Sequence, residues 1–201
     1  MFSLLRGLWD YFFRREEYYI LIIGLHNAGK TTFLEQTKRL FISNYNGMPL
    51  EKITATVGLN IATVDIRSHR MILWDLGGQE DLQQLWDKYY GECHGVVYVV
   101  DSCDTENLIT SKNVLIKAMK HQDLQEAPLL ILANKQDRQD ALPLTQLEAT
   151  LDTNSATIGG RDCKIQRVSA LQGEGVKEGI EWLFNRVNES SRRLPKLRDN
   201  D

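Results

Sequence analysis

A chain of 201 residues, 42% apolar and 25% charged, has the size and composition of one globular domain with a packed core. Its net charge of −3 gives no global reason to expect nucleic-acid binding, and its longest apolar runs fall far short of a bilayer span. Cys93, Cys103 and Cys163 are odd in number and lack metal-ligand spacing, which predicts free thiols in a reducing cytosol. Met1 to Arg15 is rich in apolar residues, but Arg6 and Asp10 interrupt it and no small-residue cleavage site follows, so it reads poorly as a secretory signal.

Along the chain, strand and helix patterns alternate. Tyr18 to Ile23 is an apolar run that ends at Gly24, as a buried strand should before a glycine-rich loop. Lys30 to Leu40 reads as the helix after it. Leu59 to Ile66 and Arg70 to Trp74 predict an antiparallel hairpin with its turn near Ser68. Gly95 to Val100 and Leu129 to Ala133 are further buried strands, separated by a helix from about Thr105 to His121. Lys164 to Val168 is the last strand, and Val176 to Asn188 is a closing amphipathic helix. This order predicts an α/β fold with a six-stranded, mostly parallel sheet and helices on both faces. Ligands in such sheets bind beyond the carboxyl ends of the strands, where four short motifs fall.

The first motif is Gly24-Leu25-His26-Asn27-Ala28-Gly29-Lys30-Thr31, with Thr32 after it. Its glycines allow a tight turn whose N–H groups can surround phosphate oxygens, and the following helix adds its positive dipole end. Lys30 is expected at the β- and γ-phosphates, and Thr31 at a Mg²⁺ ion. A glycine-rich strand-to-helix turn without ligand is the competing explanation. The motif Asp75-Leu76-Gly77-Gly78-Gln79 closes an apolar strand. Asp75 can hold the metal through a water, Gly78 can offer its N–H to the γ-phosphate, and Gln79 can orient an attacking water. Asn134-Lys135-Gln136-Asp137 selects the base. The Asp137 carboxylate can accept from both N1–H and the 2-amino group of guanine, whereas adenine would leave it unpaired. Ser169 and Ala170, after the last strand, are placed to complete the pocket, with the Ala170 N–H near guanine O6.

These motifs resemble the small GTPases of the Ras superfamily, in the ADP-ribosylation factor branch. Trp74-Asp75-Leu76-Gly77-Gly78-Gln79, Thr56-Val57-Gly58-Leu59-Asn60 and Asn134-Lys135-Gln136-Asp137 carry the likeness. Within that branch, Thr31-Thr32-Phe33-Leu34-Glu35-Gln36 and Leu85-Trp86-Asp87-Lys88-Tyr89-Tyr90 are similar to the non-myristoylated subgroup of related proteins. The resemblance implies a P-loop small GTPase domain over 17–190, an amino-terminal amphipathic helix over 1–16 and a basic tail over 191–201. It implies GTP and GDP as ligands with Mg²⁺, held by Thr31, Thr56 and Asp75, and Thr56 as a switch residue that meets metal and γ-phosphate only with GTP. It also implies an exchange factor, an activating protein, effectors, a Golgi membrane receptor, and cycling of a monomer between cytosol and Golgi or trans-Golgi membranes. A P-loop kinase or ATPase would share Lys30 and Thr31 but not Asp137. A guanine-nucleotide scaffold with negligible hydrolysis is the other alternative.

Three positions depart from the family pattern. His26 stands where relatives commonly carry aspartate; it can alter hydrolysis or the fit of an activating protein, and a solvent-facing residue of little consequence is the competing explanation. Leu40 to Ala55 is longer than the matching stretch in typical members, with turn chemistry at Asn46-Gly47-Met48-Pro49. Phe2 replaces the glycine that N-myristoylation requires, and Arg198-Asp199-Asn200-Asp201 carries no prenylation cysteine. Membrane contact is therefore expected from the amino-terminal helix, where Phe2, Leu5, Trp9, Phe12 and Phe13 share one face, and an acetylated Met1 or a receptor is expected to assist. The tail residues Arg192, Arg193, Lys196 and Arg198 read as a solvated terminus that can add attraction to anionic lipid.

Overall fold

The computed structural model describes residues 15–152, 158 and 160–190. The amino-terminal helix and the basic tail expected from the sequence lie outside the described residues. Six strands form one sheet: β1 (Glu17–Ile23), β2 (Leu59–Ile66), β3 (His69–Leu76), β4 (Gly95–Asp101), β5 (Leu129–Asn134) and β6 (Cys163–Arg167). Their spatial order is β2-β3-β1-β4-β5-β6, and every pairing is parallel except the β2–β3 hairpin.

The apolar runs explain this arrangement. β4 and β5 are buried along almost their whole lengths because both faces of the sheet are covered. Successive residues alternate between the two layers. Ile20, Ile22, Val97, Val99, Leu130 and Leu132 face one core, and Leu21, Ile23, Val96, Tyr98, Leu129 and Ile131 face the other. The first core is roofed by α1 (Lys30–Phe41) and α6 (Val176–Glu189) through Phe33, Leu34, Ile180, Leu183 and Phe184. The second is roofed by α4 (Leu108–Met119) and α5 (Leu144–Leu151), with Trp86 and Tyr90. β2 is one of the two edge strands and shows a one-sided pattern: Ala62, Val64 and Ile66 are buried while Ile61, Thr63 and Asp65 are exposed.

Several boundaries differ from the sequence expectation. β3 runs on to Leu76, so Asp75 is a strand residue and pairs in register with Ile22 of β1. α4 starts later than expected because the Asp104 carboxylate accepts from the Asn107 N–H at 3.2 Å and caps the chain there. Two single-turn helices, α2 (Glu80–Gln83) and α3 (Asp87–Tyr90), and the whole of α5 were not anticipated. The turn expected at Asn46 to Pro49 falls instead at Ser43-Asn44, where Asn44 adopts the left-handed conformation with φ 58°. Cys93, Cys103 and Cys163 take part in no disulfide among the described residues. No helix among the described residues is long and apolar enough to cross a membrane.

The chain from β1 leads to β2 and β3 on one side, and β4 lies on the other. The crevice beyond the carboxyl end of β1 is thus a topological switch point. The glycine-rich loop opens there.

Candidate nucleotide-binding site

On the phosphate side, the loop after β1 turns back so that Lys30 is 6% exposed. Its ammonium donates to the carbonyl oxygens of Gly24 at 3.0 Å and Leu25 at 2.8 Å. Burial lowers its pKa, and the nearby Asp75 charge opposes that shift. Gly78 lies directly against this amine, and a Cβ at that position would collide with Lys30 Nζ and the Gly24 carbonyl. The loop residues Leu25 and Gly29 are half-buried, Ala28 is buried, and His26 and Asn27 face outward. Thr32 is half-buried in the first turn of α1.

Three oxygen side chains from three separate motifs meet beside Lys30. Thr31 Oγ1 lies 2.6 Å from Thr56 Oγ1 and donates to Asp75 Oδ2 at 2.7 Å, and the Thr56 hydroxyl reaches the same carboxylate oxygen at 3.3 Å. Asp75 is wholly buried, and its Oδ1 has no hydrogen-bond partner. Burial raises the carboxyl pKa above its usual range, with the Thr31 hydrogen bond and the Lys30 charge opposing. Two hydroxyls and a buried carboxylate with an unsatisfied oxygen form an all-oxygen donor set that suits Mg²⁺, which keeps several waters and takes few protein ligands. The three residues expected to hold the metal therefore fit it.

The segments carrying Thr56 and Gln79 are tied together. The Gly77 N–H donates to the Gly58 carbonyl at 3.0 Å, extending the β2–β3 ladder past Leu59 and Leu76. Trp86, 2% exposed, donates Nε1–H to the Gly77 carbonyl at 3.1 Å, and Gln83 Nε2 donates to the Gly78 carbonyl at 3.2 Å. These braces were invisible to motif reading, although a tryptophan seven residues beyond Gln79 was their only signal. Gln79 itself is exposed at the start of α2, where its carbonyl accepts from Leu82 and Gln83.

On the base side, Asn134 is 2% exposed and acts as a connector. Its Nδ2 donates to the Ala28 carbonyl at 2.8 Å, and its Oδ1 accepts the Ala170 N–H at 2.9 Å. The end of β5 is thereby stitched to the phosphate loop and to the loop after β6. Gly29, with φ 95°, lets Asn134 come this close, since a Cβ would run into Nδ2. The Ala170 N–H, expected at guanine O6, is engaged by Asn134 here, because the two loops are drawn together by that side chain. Ser169 is wholly buried; its hydroxyl donates to Asp137 Oδ1 at 2.7 Å and accepts the Gln172 N–H at 3.1 Å. It therefore aims the exposed Asp137 carboxylate. Lys135 takes φ 65° and pairs with Asp101 at 2.6 Å, while the other Asp101 oxygen accepts the Cys103 N–H at 2.9 Å. Asp101 is a site residue the motifs missed; a charged residue ending an apolar strand was the available clue.

The geometry thus collects the expected residues into a phosphate end and a base end, joined through Asn134. Independent comparisons agree with that arrangement. The model of the ADP-ribosylation factor family matches residues 3–187. ADP-ribosylation factor-related protein 1 of Homo sapiens and its counterpart in Rattus norvegicus are each 53% identical over 199 residues, covering 99% of both chains. ADP-ribosylation factor-like protein 3 of Saccharomyces cerevisiae is 40% identical over 198 residues, covering 98% of this chain and 99% of its own. A solved structure of the Arl6 (BBS3) small GTPase from Trypanosoma brucei, with the nucleotide analogue GppNp bound, superposes with a TM-score of 0.76 at 30% identity. It covers 87% of this chain and 99% of that one. A P-loop kinase or ATPase is excluded by the same match, and the chain belongs to the ADP-ribosylation factor family of small GTPases.

Proposed function

We propose that this GTP-binding switch works as a monomer on Golgi and trans-Golgi membranes, where its GTP form recruits effectors for protein traffic. The observation that carries the switch is the meeting of Thr31, Thr56 and Asp75 from three separate segments. Thr56 reaches that cluster from a segment with no helix or strand between Ile53 and Gly58. A γ-phosphate that engages Thr56 and the Gly78 N–H orders both switch segments, and its loss frees them.

Each side chain then has a role in hydrolysis. Lys30 carries positive charge to the β- and γ-phosphates, and the Gly78 N–H faces the same group. Gln79, exposed and free of side-chain packing constraints at the start of α2, orients the attacking water. Thr31, Thr56 and Asp75 would hold Mg²⁺, which would supply charge neutralisation at the phosphates. Arg39 bonds the Met48 carbonyl, Arg138 pairs with Asp140, and Arg161 bonds the carbonyls of Met119 and Leu124. With no motif-placed arginine acting in cis among the described residues, the intrinsic rate is on the order of 10⁻³ s⁻¹ or slower, and an activating protein supplies the missing charge.

Membrane recruitment rests on the amino-terminal segment. Arg15 forms an ion pair with Asp65, which brings the start of the described chain to the rim of a groove of about 300 Å³. The groove lies between α1, the β2–β3 turn and α6, and Leu40, Phe41, Ile66 and Phe184 line it together with the charged Asp65, Arg67, Lys177 and Glu181. The amino-terminal segment becomes available to the bilayer and to a Golgi receptor when the switches reorder. An exchange factor and effectors act on the same transition.

Deleting residues 1–13 should leave the GTP-loaded protein cytosolic in cells, as scored by fluorescence microscopy against a Golgi marker; persistent Golgi staining contradicts the anchor. For hydrolysis, Gln79→Leu should retain GTP binding but slow multiple-turnover phosphate release at least tenfold in the presence of an activating protein. Equal, negligible rates for wild type and variant would instead favour a non-hydrolysing scaffold. Affinity for the nucleotide should also depend on pH through Lys30, whose pKa burial lowers to about 8. A lysine with a depressed pKa is charged below that value and neutral above it. Binding, which needs the charged form, should therefore weaken about tenfold between pH 7 and pH 9, measured by fluorescence titration. A flat profile would show that Lys30 stays charged throughout.

A further inference from the structure

After α1 the chain must travel from Ile42 to Ala55 before it delivers Thr56 to the phosphates. A loose segment of that length would present Thr56 at a considerable entropy cost. Its first half, however, is fastened to α1. Glu35 is 5% exposed, and its carboxylate accepts the Tyr45 hydroxyl at 2.9 Å and pairs with the Lys38 ammonium. The Met48 backbone also favours the charged form of this carboxylate, and Arg39 Nη2 donates to the Met48 carbonyl at 2.7 Å. Side chains of one helix thus hold both Tyr45 and Met48.

The lock is close-packed and charged. The Lys38 ammonium sits 4.6 Å from the Tyr45 ring centroid. Gly47 passes beneath, where a Cβ would lie 2.9 Å from both Arg39 Nε and Tyr45 Cε1. Burial alone would raise the Glu35 pKa, but the hydrogen bonds from Lys38 and Tyr45 outweigh it and hold the carboxyl below its usual range. The clasp is ionised, and so at full strength, at neutral pH.

We propose that Glu35, Arg39, Tyr45 and Met48 form a positioning clasp that shortens the free part of switch I and so favours GTP over GDP. With the clasp closed, the unfastened chain before Thr56 shrinks from Ile42–Ala55 to Pro49–Ala55, half its length. Halving a flexible loop is worth about threefold in an equilibrium constant. That advantage applies only to a nucleotide whose γ-phosphate Thr56 meets, and GDP offers none. The inference rests on that reading of Thr56, and the extra length of the segment thereby stops short of making the switch looser.

The test uses the full chain with Mg²⁺ and two fluorescent ligands, GDP and a non-hydrolysable GTP analogue. The double variant Tyr45→Phe/Arg39→Ala should bind the GTP analogue about threefold more weakly than wild type does, with GDP affinity unchanged. Gly47→Ala, which keeps every charge and hydroxyl, should move in the same direction and carries the comparison if the double variant does not fold. An equal loss for both nucleotides, a loss for GDP alone, or no change overturns the clasp. Failure of the wild-type protein to prefer either nucleotide at all would fault the switch reading itself.

Discussion

One buried carboxylate organises the phosphate end of this molecule. Asp75 sits at the end of a fully covered strand, where an uncompensated negative charge is expensive. The protein surrounds it with two threonine hydroxyls and the field of Lys30, yet leaves Oδ1 unpartnered and its pKa raised. Such a site is stabilised by a cation, and a cation there draws in phosphate oxygens. Because Thr56 belongs to that same cluster, the position of the segment carrying it becomes dependent on what occupies the pocket. Switching follows from electrostatics that the sheet imposes.

The base end depends on a different device. Asn134 spends its side-chain amide on two backbone groups from distant parts of the chain, one before α1 and one after β6. The bonds within each loop are local, such as Ser169 N–H to the Glu174 carbonyl at 3.0 Å, so the asparagine supplies their relative position. Ser169 then holds Asp137, and Asp101 holds Lys135, so that the polar groups facing the base are each backed by a second contact. Recognition of guanine is thereby built on the ends of β4 and β5, the most deeply buried strands of the sheet, and of the half-buried edge strand β6. The half of the sheet beyond β1 that holds these strands reads the base, and the half with the one-sided β2–β3 hairpin carries the response.

How much of this was legible in the chain itself divides along physical lines. Lys30, Thr31, Asp75, Asn134 and Asp137 could be placed because phosphate, metal and guanine chemistry each demand a residue type at a fixed offset from a strand end. The central strands were equally plain, since continuous apolar runs such as Gly95 to Val100 fit only a sheet covered on both faces. α5 escaped because it is short, follows Pro143, and buries only Leu147 and Leu151. The turn after α1 was misplaced because Asn46-Gly47 has the better turn composition, yet Gly47 is there for close approach to Arg39 and Tyr45. The roles of Ser169 and the Ala170 N–H depend on which loops the fold brings together, and spacing along a chain carries no such information.

The central claim is that the terminal phosphate stabilises the arrangement seen here, with Thr56 at the Asp75 cluster and the Gly58–Gly77 link closed, over a looser one with GDP. Hydrogen–deuterium exchange, comparing the Mg²⁺-bound GDP and GTP-analogue forms, tests this most directly. Amides from Ile53 to Gly58 and at Gly77 and Gly78 should be protected with the analogue and exchange at least tenfold faster with GDP. The amides around Asn134 and Ser169 should not distinguish the two. Equal protection of the switch amides in both forms would contradict the account.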